Sequence, residues 1–208
     1  MSAISTPMPA QAVSPKTTRR MLLLLAVVFV LPFVIGSGLF WSGWRPAKFV
    51  NRGELLQPPR ELPDGGLLDT DGRPLPTAEL RGKWLLIRVA GATCDAVCEN
   101  DLQQMQQVHI ALNKDQSRVR QVLISSGEAV GDDALFWASL RRRFPDTVLA
   151  SLDPDAARTA WHGVFTGRGR TLYLVDPQGN VMMRYADPPD LRGVLKDLER
   201  LLKYSWIR

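Results

Sequence analysis

Residues 84–102 read WLLIRVAGATCDAVCENDL. Residues 84–90 are a short apolar run of the kind that forms a buried strand. Residues 95–113 follow with apolar side chains at Leu102, Met105, Val108, Ile110 and Leu112, which predicts a helix. Cys94 and Cys98, in the pattern C-D-A-V-C, fall at the junction. A thiol where a strand hands over to a helix N-terminus meets free N–H groups and the positive end of the helix dipole, both of which favour a thiolate. Four residues of helix rise about 6 Å and bring both side chains to one face. That separation suits a disulfide, and two sulfurs so placed could equally clamp one soft ion such as Cu(I). A bridge across so small a loop stabilises a fold little, which favours a functional pair over a structural staple.

Outward from this core the chain alternates strand and helix patterns. Residues 66–74 carry an Asp71-Gly72 turn between two short runs, a hairpin signal. Strands are expected over 119–125 and 147–152, with a helix over 132–143 that starts near two acids and ends in Arg141, Arg142 and Arg143. Asp153-Pro154 opens a short helix expected to run through Trp161. Residues 171–175 and 181–185 flank the turn Asp176-Pro177-Gln178-Gly179, and residues 191–202 form an amphipathic closing helix. Alternating strands and helices with a terminal hairpin predict an α/β fold with a mixed sheet flanked by helices.

The N-terminal part differs. Residues 21–41 hold 21 residues without a charge, long enough to span the hydrocarbon core and longer than a signal-peptide apolar region, and no A-x-A site follows. This reads as a retained single-pass transmembrane anchor. Lys16, Arg19 and Arg20 precede it without any acid, so the N-terminus is expected in the cytoplasm and the C-terminal domain outside. In a bacterium this means the inner (cytoplasmic) membrane with the domain in the periplasm, or the equivalent mitochondrial inner-membrane topology. Trp41 and Trp44 suit the far interface. The expected organisation is a disordered cytoplasmic tail over 1–20, the anchor over 21–41, a Pro-containing tether over 42–63 and one α/β domain over 64–208.

The 208 residues carry 26 Lys and Arg against 21 Asp and Glu, a net charge of +5. Three of those cations sit in the acid-free first 42 residues, so the remainder is only +2. The basic balance belongs partly to the membrane tail, and no nucleic-acid partner is expected. Two cysteines exclude a disulfide-rich scaffold and a four-Cys zinc site. No P-loop and no G-x-G-x-x-G follows a strand, so no nucleotide site is expected.

Gly82-Lys83-Trp84-Leu-Leu-Ile-Arg-Val followed by Gly91-Ala-Thr93-Cys94-x-x-Val97-Cys98-x-x-x-Leu102 resembles the Sco/SenC family. Leu68-Asp-Thr-Asp-Gly-Arg-Pro74 and Tyr173-Leu-Val-Asp-Pro-Gln-Gly179 are similar to it as well, and the resemblance spans residues 64–203. It implies a membrane-anchored, thioredoxin-like domain that assists assembly of the copper centre of cytochrome c oxidase. It also implies Cys94 and Cys98 as the redox and metal-binding pair, Cu(I) as the metal, and an oxidase subunit or another copper-site assembly protein as partner. Asp95 and Glu99 stand where the family places prolines. Arg168 stands at the family's copper-ligand His, and Arg170 at the cis-Pro position of thioredoxin-like enzymes. The resemblance is thus to a divergent member without the usual His.

His162, near the Gly-rich stretch 163–169, is the candidate replacement ligand. His109 lies about 16 Å along the helix from Cys98 and reads as structural. Met105, Met182 and Met183 are soft donors that more often fill cores. Arg168 and Arg170 are candidates to modulate the pair, and Asp95 and Glu99 suit a helix N-terminus. Three functions stay open: a Sco-like thiol–disulfide reductant or weak Cu(I) carrier, a general membrane-tethered thiol–disulfide oxidoreductase, and a non-catalytic docking module. In the Sco-like reductant Cys94 is expected to attack, being nearer the helix start.

Overall fold

The computed structural model describes residues 15–43, 51–91, 94–125, 134–166 and 170–205. The chain divides into two compact units, Met1–Phe49 and Val50–Arg208. The first contains helix α1, Pro15–Trp41, with Pro32 inside it. Within its segment Arg19–Trp41 an 18-residue window reaches a mean hydropathy of 2.7, and the segment is long and apolar enough to cross a membrane. The tail expected over 1–20 is therefore helical from Pro15, because a helix is continued without regard to where its apolar stretch begins. Residues 1–14 and Trp44 lie outside the described residues.

The second unit is a mixed sheet. Its described strands are β1 (Glu54–Glu61), β2 (Leu67–Leu68), β3 (Pro74–Leu75), β4 (Trp84–Ala90), β5 (Val119–Ser125), β6 (Thr147–Leu152), β7 (Leu172–Val175) and β8 (Asn180–Tyr185), in the order β1-β8-β7-β4-β5-β6-β2-β3. The central strands β4, β5 and β6 are parallel, with Trp84 opposite Val119 and Gln121 opposite Thr147. Strand β7 returns antiparallel beside β4, and β8 and β1 extend that side. The central strands are buried on both faces, which explains why β4 reads as a continuous apolar run rather than an alternating one.

Helices α2 (Ala96–Ala111), α3 (Ala134–Arg143) and α5 (Leu191–Tyr204) contribute to one core, where Leu102, Met105, Trp137, Leu140, Val194 and Leu198 pack on Leu86, Leu123 and Leu174. A second core joins Leu85, Ile87, Val122 and Tyr173 to Leu80, Trp161 and Val164. It includes the short helix α4 (Pro154–Arg158) at its margin, through Ala156 and Ala157. Helix α4 stops well short of Trp161. Thr159 leaves the helical region (φ −110°, ψ −93°), and Trp161 turns inward to donate from Nε1 to the Gly65 carbonyl at 2.9 Å. Gly66 makes this possible: its φ is +81°, and a Cβ there would stand 2.7 Å from Trp161 Nε1. Ile110, expected on the apolar face of α2, is instead exposed. Helix α3 is described from Ala134, and residues 132 and 133 lie outside the described residues.

The stretch expected as a tether over 42–63 becomes strand from Glu54. Pro58 and Pro59 conceal it in the sequence. They are tolerated because β1 is an edge strand whose pairing with β8 is irregular between Leu55 and Arg60. The entry to β1 is fixed by Asp197 of α5, whose Oδ2 accepts from the N–H groups of Arg52 and Gly53, each at 2.9 Å, and from Tyr185 Oη at 3.2 Å. Burial and the neighbouring Asp197 charge push the Tyr185 phenol pKa up, so it stays a donor. Gly53 is required here, since a Cβ would lie 2.7 Å from the Tyr185 ring. Asp197→Ala strands these donors and is expected to destabilise the domain by about 3 kcal/mol. Urea unfolding of the full chain in detergent, followed by tryptophan fluorescence, measures it.

Candidate functional site

The site forms where β4 ends and α2 begins. Asp95 caps the helix: its Oδ1 accepts from Val97 N at 3.1 Å and Cys98 N at 2.9 Å. An N-cap acid at this place satisfies two of the otherwise orphaned N–H groups, which accounts for Asp95 where the Sco-like pattern has proline. Cys94 precedes the cap and Cys98 occupies the first turn, and the two form a disulfide with Cα atoms 5.0 Å apart. Both cysteines are buried. Val97 between them is 45% exposed and marks the outward side of the turn. Glu99 is held by Arg143 of α3, Oε2 to Nη1 2.7 Å, which ties the two helix ends together beside the disulfide.

Beneath this turn lies a charged cluster in an apolar layer. Alternation along β4 sends Trp84, Leu86, Arg88 and Ala90 to the α2 side. Arg88 is 1% exposed, and its Nη2 meets Asp101 Oδ1 at 2.9 Å. Asp101 is three residues beyond Cys98 on α2 and also buried. Arg170, just before β7, approaches the other Asp101 oxygen at 3.5 Å and pairs with Asp187 at 3.2 Å. Burial pushes the Asp101 carboxyl up and the Arg88 guanidinium down, and each group opposes the shift of the other. Arg88 and Asp101 carry weight that sequence reasoning did not give them. The available signals were an arginine inside an apolar strand and an acid one helical turn from Cys98.

The other expected residues sort clearly. Arg170 reaches the cluster under the pair, and Arg168 lies outside the described residues. His162 is exposed. It sits between Trp161 and Val164, both of which pack in the second core, whereas Cys94 and Cys98 belong to the first. Among the described residues no three His, Cys, Asp or Glu side chains converge as a metal-binding group. His109 is structural: its Nε2 donates to the carbonyls of Gln116 and Val119 at 3.0 and 3.1 Å. Met105 and Met183 are buried in the first core, and Met182 packs against it.

This arrangement, a dithiol pair at a strand-to-helix junction on a mixed sheet, defines a thioredoxin-like protein. Residues 84–205 match the family model described as the transmembrane-like, thioredoxin-like, C-terminal domain, and the chain belongs to that family. No curated protein sequence matches the chain. Among solved structures it is similar to copper-bound yeast Sco1, at 18% identity over 70% of this chain and 93% of that one, with a TM-score of 0.57. It is similar to apo Sco1 from Thermus thermophilus, at 20% identity over 75% and 99%, with a TM-score of 0.57. It is also similar to BsSco, described as a member of the Sco family of cytochrome c oxidase assembly proteins with a disulfide switch, at 14% identity over 76% and 100%, with a TM-score of 0.54. At these identities the likeness establishes the fold.

Proposed function

We propose that this chain is a membrane-anchored, Sco-like assembly protein that reduces a disulfide in a copper-site protein of cytochrome c oxidase. The observation that carries the reading is the Cys94–Cys98 disulfide at the β4–α2 junction. The likeness to Sco structures, one of them copper-bound and one described by its disulfide switch, supports the choice of target. In the reduced protein the Cys94 thiolate attacks one sulfur of the target disulfide, and the other target sulfur leaves as a thiolate that takes a proton. The Cys98 thiolate then attacks Cys94, releases the second target thiol and re-forms the observed bridge. Two electrons pass to the target, and an upstream dithiol must return them. Helix α1 holds the domain at the membrane, and Lys16, Arg19 and Arg20 keep its N-terminus cytoplasmic, which places the domain in the oxidising periplasm or its mitochondrial equivalent.

Copper enters as cargo. The two sulfurs are soft donors suited to Cu(I), and the exposed His162, whose neighbours Trp161 and Val164 pack in the core without the cysteines, is left out of this reading. The carrier version of the proposal is therefore a two-sulfur site. The test replaces both cysteines with serine in cells that depend on this chain for oxidase assembly. Loss of oxidase activity to the level of the deletion supports the proposal, and normal activity overturns it in favour of a docking module. Anaerobic Cu(I) titration of the reduced full chain against a chromogenic chelator separates the two versions. One-to-one binding that survives His162→Ala but not the double serine variant means the pair also carries copper. Absence of binding leaves reduction alone.

A further inference from the structure

The Arg88 guanidinium is poorly matched in the oxidised protein. Nη2 is bound to Asp101, but Nε and Nη1 are buried and find no acceptor among the described residues. Unpaired buried donors of this kind are costly to hold, and an acceptor that forms beside them relieves that cost. The strand neighbours of Arg88 are Leu123 and Leu172, both buried and apolar. On the α2 side, Cys98, Asp101 and Leu102 line the buried face. Residues three apart on a helix have Cβ atoms about 5–6 Å apart, and helical side chains lean toward the N-terminus. The Asp101 carboxylate, and the guanidinium it holds at 2.9 Å, thus lie under the turn that begins at Cys98. Ala90, the next residue of β4 on this face, is buried and small, and shares its core with Cys94 and Cys98.

We propose that Arg88 sets the redox poise of the pair: when the disulfide opens, its unpartnered Nε and Nη1 groups donate to the freed sulfur of Cys98. In the oxidised state that sulfur is bonded to Cys94, carries no charge and is a weak acceptor. Two electrons from an external dithiol break the S–S bond. Cys94 takes a proton from solvent, which it returns to solvent when it attacks a target as the thiolate, and Cys98 keeps the other electron pair as a thiolate facing the guanidinium. A charge-assisted hydrogen bond in a low-dielectric layer then stabilises the reduced state selectively, which makes the pair a weaker reductant than the same pair without Arg88. The surrounding charges do not cancel this. Asp101 and Asp187 hold Arg170, and Asp101 leaves two of the Arg88 nitrogens open. Arg88 acts here as a positioning residue. The inference rests on Cys94 and Cys98 being a working dithiol.

The test is the midpoint potential of the pair in the full chain in detergent micelles, equilibrated with glutathione buffers. Arg88→Met/Asp101→Leu removes the donors without leaving a buried lone charge. Its equilibrium is expected to move at least tenfold toward the disulfide, a fall of about 30 mV or more. Asp101→Asn removes a negative charge and keeps the donors, and its potential is expected to rise. Opposite shifts support the proposal, because a merely structural role does not produce two signs. An unchanged or raised potential in the double variant overturns it. A second reading needs no variant protein: the Arg88 Nε–H proton resonance of the wild-type chain is expected to move downfield on reduction. A resonance that stays in place overturns the proposal even where the double variant fails to fold. A wild-type pair that does not exchange with glutathione overturns both this inference and the dithiol reading. A pair that exchanges with a potential indifferent to Arg88 overturns this inference alone.

Discussion

Cys98→Ser is expected to trap the target protein on Cys94 as a mixed disulfide, and Cys94→Ser to trap nothing. The reason lies in how the backbone of each cysteine is held. Cys98 is locked in the first turn of α2, its N–H bound to Asp95 Oδ1 at 2.9 Å. Its side chain points into the layer that contains Leu102 and Met105. Cys94 lies before the cap, where no helical hydrogen bond has to break for its sulfur to turn outward. Both are buried when bonded to one another, so attack on a bulky protein disulfide requires one of them to move, and Cys94 moves at lower cost. Removing the resolving sulfur then leaves the intermediate stranded, because the second exchange has no nucleophile. Non-reducing electrophoresis of membranes from cells that carry each variant checks this. A Cys98→Ser adduct that dissolves in dithiothreitol, with no adduct for Cys94→Ser, is the expected pattern. The reverse pattern makes Cys98 the attacking sulfur. Disulfide-reductase activity of either single variant is expected to fall to the uncatalysed background.

Asp101→Ala is expected to destabilise the domain by about 3–5 kcal/mol, because it leaves the Arg88 charge buried without its partner. The Arg88 side chain is 1% exposed and that of Asp101 5%, and the strand neighbours of Arg88 are leucines, so solvent cannot replace the lost carboxylate. Arg170 loses one of its two acids at the same time. Removing both buried charges with Arg88→Met/Asp101→Leu is expected to be near neutral or stabilising, since two desolvation penalties vanish with the pair. Urea unfolding of wild type, Arg88→Met, Asp101→Leu and the double variant closes a double-mutant cycle that measures the coupling, with Asp101→Ala measured alongside. A cost under about 1 kcal/mol for Asp101→Ala means that water reaches the guanidinium and that the pair behaves as a surface ion pair. The same cycle supplies the folded double variant on which the redox measurement depends.

Most of the architecture could be read without coordinates. Strands β4, β5 and β6 occupy 84–90, 119–125 and 147–152, the expected ranges, because strands buried on both faces leave short, mainly apolar runs. The turn at 176–179 was equally legible. Asp176 Oδ1 accepts from Gln178 N and Asn180 N, the local bonding that makes Asp-x-x-Gly a turn signal. The apolar stretch in α1 and the Cys94–Cys98 spacing were legible for the same reason: each depends only on residues near one another in the chain. Edge strand β1 was not legible. Its pairing with β8 and the Asp197 contacts at Arg52 and Gly53 connect residues more than 100 positions apart, and its prolines argue locally against a strand.

The site divides along the same line. By itself the sequence determined that two thiols sit at a strand-to-helix junction, with acids at the helix start, on a domain preceded by a helix apolar enough for a membrane. Spacing, charge at a helix end and hydropathy are local, and the residues involved are neighbours in the chain. Only the tertiary structure decided what lies beneath that junction. Arg88, Asp101, Arg170 and Asp187 come from a strand, a helix and the two ends of the β7–β8 hairpin, and no single stretch shows their convergence. Tertiary structure likewise placed His162 beside the second core and the cysteines in the first. The physical reason is that a sheet separates two faces that the chain crosses repeatedly, so closeness in sequence to a glycine-rich turn says nothing about which face a side chain reaches.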